Sequence, residues 1–181
     1  PGEAGHACDG HEVLLFGAAR PCGDRVRTGA GRAHYRRRAS GATSFRRMPV
    51  TDPRHILITG ASRGLGAALA LAYAAPGRHL ALGGRNAERL ASVARACTDR
   101  GAVCATARID VTDAPAMADW IAAADAASPL DLVIANAGVS HGTAGSGADA
   151  DDVIFAINVG GVLNTVKPAA HAMRERRRGQ I

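Results

Sequence analysis

The feature that most constrains the fold is a short apolar stretch that runs directly into a glycine-rich turn. Residues 55–59, HILIT, have the β-branched and apolar composition of a buried strand. The next residues, GASRGLG (60–66), lead into a helical pattern over 64–75. A strand, a glycine turn and a helix in this order predict a phosphate-binding site, because the first N–H groups of a helix are unpaired and its dipole attracts anions.

The same alternation continues along the rest of the chain and predicts an α/β fold. Strands are expected at 79–83, 102–109 and 130–138, and helices at 86–101, 113–127 and 150–177. Asp113 is expected to cap its helix, and Pro168 is expected to kink or divide the last one. This order is typical of a Rossmann-type, doubly wound parallel sheet with helices on both faces.

Residues 1–47 differ in composition and are not expected to belong to this domain. They hold nine Arg and four acids, and their Gly, Arg, Ala and His show no helical or strand periodicity. We expect an irregular, disordered tail, followed by an incomplete NAD(P)-binding domain over residues 48–181. Met48 is a candidate natural start, because the pattern changes there and the first residue, Pro1, is not a methionine.

The formal charge of +6 lies mostly in this tail, so it does not favour a nucleic-acid-binding fold. Residues 48–181 hold thirteen Arg and Lys against twelve Asp and Glu, a net charge of +1. The tail lacks interleaved aromatic residues, which makes RNA binding by it the weakest function considered. No unbroken apolar run reaches the length of a membrane span, and no His, Cys or acidic spacing indicates a metal site. We expect a cytoplasmic protein that binds neither nucleic acid nor membrane, with ordinary reduced cysteines.

Four motifs resemble, in order and spacing, the signature of the short-chain dehydrogenase/reductase family. They are TGASRGLG (59–66), DVT (110–112), NAG (136–138) and NVGG (158–161). The resemblance covers residues 55–181. It implies that Asp110 faces the adenine amino group, and that NAG supports the sheet and lines the cofactor cleft. The cofactor-binding residues that the motifs supply are Gly60, Ser62, Arg63, Gly64, Leu65, Gly66, Asp110, Val111, Asn136, Ala137 and Gly138.

The end of the second strand indicates which dinucleotide is bound. Folds that prefer NAD place an acid there, where it binds the ribose 2′-hydroxyl. Here Gly84 lies about where that acid would be, Arg85 follows it, and Arg63 lies in the glycine turn. Two guanidinium groups can clamp a 2′-phosphate, so we expect Arg85 to bind the cofactor and NADP to be preferred over NAD. If both arginines are instead solvated surface charges, this preference does not follow.

The family resemblance implies hydride transfer between a nicotinamide and a carbonyl or alcohol. In the family, a serine, a tyrosine and a lysine carry the chemistry together with an asparagine. The Tyr-x-x-x-Lys pattern does not occur here, because Ala39 and Gly77 follow Tyr35 and Tyr73 at that spacing. Of these catalytic residues only the asparagine, Asn158, is present, while Tyr73 is expected to be a packing residue.

Two explanations of the missing residues remain open. In the first, the chain is the N-terminal part of a longer enzyme and is inactive as it stands; GQI (179–181) is then the turn and first residue of a fifth strand. Stopping there would leave the fourth strand as an unpaired edge. The intact enzyme would be a homo-oligomer that acts on a small carbonyl or alcohol compound. In the second, the chain is a noncatalytic NADP-binding sensor or regulatory protein.

Overall fold

The computed structural model describes residues 52–144 and 149–181 of the chain. The described residues form the strands β1 (His55–Thr59), β2 (His79–Gly84), β3 (Val103–Arg108) and β4 (Leu132–Ile134). They form the helices α1 (Gly64–Tyr73), α2 (Ala87–Thr98), α3 (Ala114–Ala127), α4 (His141–Ala144), α5 (Ala150–Phe155) and α6 (Gly161–Glu175). A π-helical segment, Ala156–Gly160, joins α5 to α6. The expectations for residues 1–47, for Tyr35 and for a start at Met48 lie outside the described residues.

The four strands form one parallel sheet in the order β3-β2-β1-β4. β1 pairs with β2 from His55–His79 to Thr59–Gly83, and with β4 through Leu57 and Val133. Each residue of β1 is buried, as expected for the central strand of a sheet that helices cover on both faces. The predicted Rossmann-type parallel sheet is confirmed.

Alternate residues of β1 point to opposite faces of the sheet and begin two separate cores. Ile56 and Ile58 belong to a cluster completed by residues of α1 and α2, whereas Leu57 belongs to a cluster completed by residues of α3 and α6. With both faces covered in this way, the carboxyl ends of the strands form the edge at which the loops meet. In open α/β sheets, ligands bind at this edge.

The fourth strand is shorter than the sequence predicts. The expected strand covered 130–138, whereas β4 spans Leu132–Ile134. The difference arises at Asn136, whose backbone N–H donates to the carbonyl oxygen of Ile134 at 3.0 Å and turns the chain out of the sheet. An apolar composition alone does not reveal such a turn.

The last residues of the chain pair with β4. Gln180 forms a parallel bridge with Leu132; its N–H donates to Asp131 at 2.9 Å, and its carbonyl accepts from Val133 at 3.0 Å. The expected beginning of a fifth strand in GQI is therefore present. The expectation that β4 is an unpaired edge is wrong at Leu132, because Gln180 occupies that edge.

The last helical stretch departs from α-geometry at a different place from the one predicted. The sequence places the irregularity at Pro168, but α6 runs through this proline and ends at Glu175. Thr165 and Ala169, on either side of it, are buried, and α6 packs against α3. This packing keeps the helix continuous although proline supplies no N–H. The irregularity is instead the π-helical segment Ala156–Gly160.

By length and composition alone, the helical stretch Ala150–Glu175 could cross a membrane. Polar residues interrupt it, which is why the sequence shows no unbroken apolar run. Its second half, α6, packs on α3 and buries Gly161, Thr165, Ala169 and Met173. Core helices of soluble proteins satisfy the same criterion of length and hydropathy, so the stretch is weak evidence for a membrane span.

Two of the cysteines lie together between α2 and β3 as free thiols. Burial, with a smaller contribution from the neighbouring Cys104, raises the pKa of Cys97 to about 11. Burial also raises the pKa of Cys104. Both thiols are therefore protonated at neutral pH and unreactive, since the thiolate is the nucleophile.

Candidate functional site

The glycine turn joins β1 to α1 at the carboxyl edge of the sheet, where it touches the residues that follow β4. A Cβ atom at Gly60 would lie 2.8 Å from the Cα of Ala137. A Cβ atom at Gly66 would overlap the carbonyl oxygen of Gly60 and lie 2.6 Å from Nδ2 of Asn136. Gly60 also has a positive φ of 67°. Only glycine fits at these two positions, because any side chain would push the turn away from the residues after β4.

The N-terminus of α1 has the features of an anion-binding site. Among the described residues no side chain caps α1, whereas Asn86 caps α2 through the N–H of Arg89 at 2.8 Å and Asp113 caps α3. The free N–H groups of the first turn lie at Gly64 and Leu65, which line a cleft at the carboxyl edge. An uncapped helix start beside a glycine turn is a phosphate-binding arrangement.

Thr59, which the sequence analysis did not assign to the site, connects the turn with the residues after β4. Its side chain is buried, and its hydroxyl oxygen accepts from the backbone N–H groups of Asn136 and Ala137 at 3.0 and 3.1 Å. Nδ2 of Asn136 in turn donates to the carbonyl oxygen of Thr59 at 3.0 Å. The signal was present, since Thr59 is the first letter of the TGASRGLG motif, but a threonine at the end of a strand is too common to indicate such a role.

The loops at this edge enclose a cleft of about 850 Å³. Its lining residues are Gly60, Ser62, Arg63, Gly64, Leu65, Gly84, Arg85, Asn86, Arg89, Ile109, Asp110, Val111, Asn136, Ala137, Gly138, Val139 and Ile157. Every residue expected to bind the cofactor lines it except Gly66, which is buried behind the turn. Gly84, which the sequence analysis placed beside the ribose, also lines the cleft. The sequence analysis missed five side chains: Asn86, Arg89, Ile109, Val139 and Ile157. The structure thus brings the expected residues together, and their binding of a cofactor stays a prediction.

Asp110 is held in an ionised, preorganised state at the end of β3. Its Oδ1 accepts from the backbone N–H and the hydroxyl of Thr112 at 2.9 and 2.8 Å. The bond from the backbone of Thr112 is the main cause that lowers the pKa of Asp110; burial opposes it, and the Thr112 hydroxyl and the charge of Arg85 add to it. A carboxylate fixed in this way can accept a hydrogen bond from an amino group in the cleft.

The cleft carries three guanidinium groups near the end of β2. Arg63, Arg85 and Arg89 all line it and are exposed, and Gly84 ends the strand without a side chain. Among the described residues, Asp110 is the one acidic residue in the lining. This side of the cleft is therefore electropositive.

Asn158 lies in the π-helical segment and holds the backbone after β4. Its Oδ1 accepts from the N–H of Val139 and its Nδ2 donates to the carbonyl oxygen of the same residue, both at 2.8 Å. These two bonds fix the amide side chain beside Gly138 and Val139, which line the cleft. Asn158 is thus adjacent to the cleft and anchored to it. Its expected catalytic role stays a prediction.

The contacts of Tyr73 are those of a packing residue. It lies in α1, packs against the core formed with α2, and stacks under the guanidinium group of Arg78 at 5.8 Å from the ring centre. These contacts agree with the packing role expected from the sequence. Lys167 lies on the exposed side of α6, four residues from Leu163, and has no tyrosine at catalytic spacing.

The glycine turn, the cleft and the parallel sheet have a counterpart among known proteins. The sequence model of the family described as short chain dehydrogenase matches residues 54–181. The chain is a member of the short-chain dehydrogenase family. The matched region contains all the residues that line the cleft, and the family resemblance inferred from the four motifs is confirmed.

Individual relatives agree with this assignment. The chain is similar to the gluconate 5-dehydrogenase of Gluconobacter oxydans, with 39% identity over 129 residues, 69% of this chain and 50% of the relative. It is similar in structure to a metagenomic short-chain oxidoreductase in complex with NADP, with a TM-score of 0.63 and 28% identity over 70% of this chain and 59% of the other. It is also similar to carveol dehydrogenase from Mycobacterium avium in complex with NAD, with a TM-score of 0.62 and 28% identity over 70% and 52% of the two chains. The chain therefore spans about half the length of these relatives.

Proposed function

We propose that the cleft binds NADP and that the protein is an oxidoreductase, which transfers a hydride between the nicotinamide and a carbonyl or alcohol. The observation that carries the proposal is the combination of an uncapped α1 with a cationic end of β2. Some similar structures contain NADP and others contain NAD, so the preference for NADP rests on the residues of this chain.

Different parts of the cleft then bind different parts of NADP. The glycine turn and the first N–H groups of α1 bind the pyrophosphate. Arg63 and Arg85 bind the 2′-phosphate, Arg89 adds positive charge, and the carboxylate of Asp110 accepts from the adenine amino group. The bound nicotinamide supplies the hydride acceptor or donor, and the residues from Asn136 to Gly138 form the wall beside it. Asn158 keeps that wall in place through Val139.

The preference for NADP predicts the effect of reversing one charge. Arg85→Asp is expected to lower the affinity for NADPH relative to NADH by about 100-fold, because it removes a charge-assisted hydrogen bond and adds repulsion. Arg95→Asp is the matched control: it makes the same charge change on α2, at an exposed position outside the cleft. Titration of both variants with NADPH and NADH measures the ratio of the two affinities. An unchanged ratio in Arg85→Asp would refute the assignment of Arg85 to the 2′-phosphate.

We further propose that the chain is the cofactor-binding part of a longer enzyme, whose serine, tyrosine and lysine follow Ile181. The proposal is supported by the share of the relatives that the chain covers, and by the start of a fifth strand at Gln180. The intact enzyme is then a cytoplasmic homo-oligomer that acts on a small molecule, without nucleic-acid or membrane partners. The chain up to Ile181 is expected to bind NADPH without turning over substrate.

The coding sequence beyond Ile181 tests this second proposal. A strand ending in serine, followed by Tyr-x-x-x-Lys, is expected there, and the extended protein should oxidise NADPH with a panel of carbonyl compounds while residues 1–181 do not. A stop codon at that point would instead favour a noncatalytic NADP-binding sensor. The absence of Tyr-x-x-x-Lys from the present sequence is the observation on which that alternative rests.

A further inference from the structure

The segment of residues 109–112 belongs to no strand or helix, and its first three residues line the cleft. The N–H of Ile109 still donates to Gly84 at 3.1 Å, as the last bond of the sheet. Beyond it, Asp110 and Thr112 bond to each other. The sheet therefore does not hold Asp110, Val111 or Thr112, and their position must be fixed by something else.

The support comes from α6. Nδ2 of Asn164 donates to the carbonyl oxygen of Val111 at 3.0 Å, and it lies 3.4 Å from the carbonyl oxygen of Thr112. One turn earlier, Gly161 lies against the side chain of Val111 so closely that a Cβ atom would overlap it. Val111 itself is only 7% exposed. The segment is thus attached to α6 at two points, one by packing and one by a hydrogen bond.

We propose that Asn164 is a positioning residue for the adenine end of the bound dinucleotide, an inference that rests on the proposed function. It acts through its bond to Val111, which would hold the neighbouring carboxylate of Asp110 where an adenine amino group can donate to it. A near-isosteric side chain without a donor leaves the partly buried carbonyl of Val111 unpaired. The segment then shifts to find another donor, and Asp110 moves with it.

The same helical stretch also holds the other end of the cleft. Asn158, six residues before Asn164, fixes Val139 by two hydrogen bonds. Two asparagine amides thus tie the segment after β3 and the segment after β4 to one continuous helical stretch. The spacing between these two segments, which would line the adenine and nicotinamide ends of a bound dinucleotide, is therefore set by that stretch, and Asn164 holds the segment after β3.

The experiment compares NADPH with nicotinamide hypoxanthine dinucleotide phosphate in its reduced form, in which the adenine amino group is replaced by a carbonyl. The wild-type chain is expected to bind NADPH about tenfold more tightly, because the adenine amino group can donate to Asp110, whereas the carbonyl oxygen in its place only accepts and faces the carboxylate unfavourably. Asn164→Leu and Asn164→Ala are expected to lose most of this discrimination. Ala169→Gly, at a buried site of α6 away from the cleft, is the control: it should lower thermal stability and leave the discrimination unchanged.

The outcomes separate this inference from the proposed function. A wild-type chain that does not bind NADPH overturns both. A wild-type chain that binds NADPH but not more tightly than the analogue, or variants of Asn164 that keep the discrimination, overturn only the positioning role. If neither variant of Asn164 folds, the residue is structural and the inference is wrong. If the variants of Asn164 lost affinity for NADPH and for the analogue equally, so that the ratio of the two affinities stayed the same, the positioning role would also be contradicted.

Discussion

Replacing Gly66 by alanine is expected to abolish NADPH binding and to lower the free energy of unfolding by about 2–3 kcal/mol. The added methyl group would overlap the carbonyl oxygen of Gly60 and approach the amide of Asn136 to 2.6 Å. Both neighbours are held in place, Gly60 by its position in the turn and Asn136 by its bonds to Thr59. The turn must therefore move away from the residues after β4, and the N–H groups at the start of α1 move with it.

Gly160→Ala provides the matched control for this substitution. A Cβ atom at Gly160 meets no other atom within 4 Å, and the residue has ordinary helical geometry, with φ of −57°. The change is expected to leave binding intact and to stabilise the helix by up to about 1 kcal/mol. Urea unfolding can be followed through the emission of Trp120, the one tryptophan of the sequence, which packs against Gly83. NADPH binding within twofold of wild type in Gly66→Ala would contradict the assignment of the turn.

Thr59→Val is expected to cost about 2–4 kcal/mol of folding free energy, although the two side chains have nearly the same shape. The hydroxyl oxygen accepts from the N–H groups of Asn136 and Ala137, and valine leaves both without that acceptor. Thr59 is 1% exposed, so water cannot readily replace the lost oxygen. The residues after β4 are expected to loosen, which should weaken NADPH binding by about tenfold.

Thr59→Ser separates the contribution of the hydroxyl group to the folding free energy from that of the methyl group. Serine keeps the acceptor and removes one buried methyl, which is expected to cost about 1 kcal/mol. Denaturant unfolding of the three proteins gives the comparison directly. If valine and serine destabilise the chain equally, the methyl group matters more than the two hydrogen bonds, and Thr59 is merely a packing residue.

The fold could be predicted from the sequence because its signals are local and repeated. Buried strands, helical spacing and glycine positions each indicate the same α/β order, and the lining of the cleft followed from motifs at the ends of the strands. The contacts that hold those motifs could not be predicted. Thr59 and Asn164 each bond to backbone groups more than fifty residues away in sequence, and nothing in their local surroundings indicates these partners.

Two of the structural errors have related causes. The expected strand over 130–138 was too long because apolar residues continue past Ile134, while the turn at Asn136 depends on its bonds to Thr59. The expected irregularity at Pro168 was misplaced because tertiary packing overrides a missing hydrogen bond. The π-helical segment has no compositional signature; Asn158, which bonds to Val139, lies within it.

The π-helical segment Ala156–Gly160 determines how far α6 is rotated about the helix axis relative to α5. A residue advances an α-helix by about 100°, and a π-helical turn accommodates one additional residue. Removal of that residue would rotate α6 by about 100° relative to α5, so that Gly161 no longer met Val111 while Asn158 met Val139. The number of residues between Ala156 and Gly160 is therefore constrained by the two segments, after β3 and after β4, that the long helix contacts.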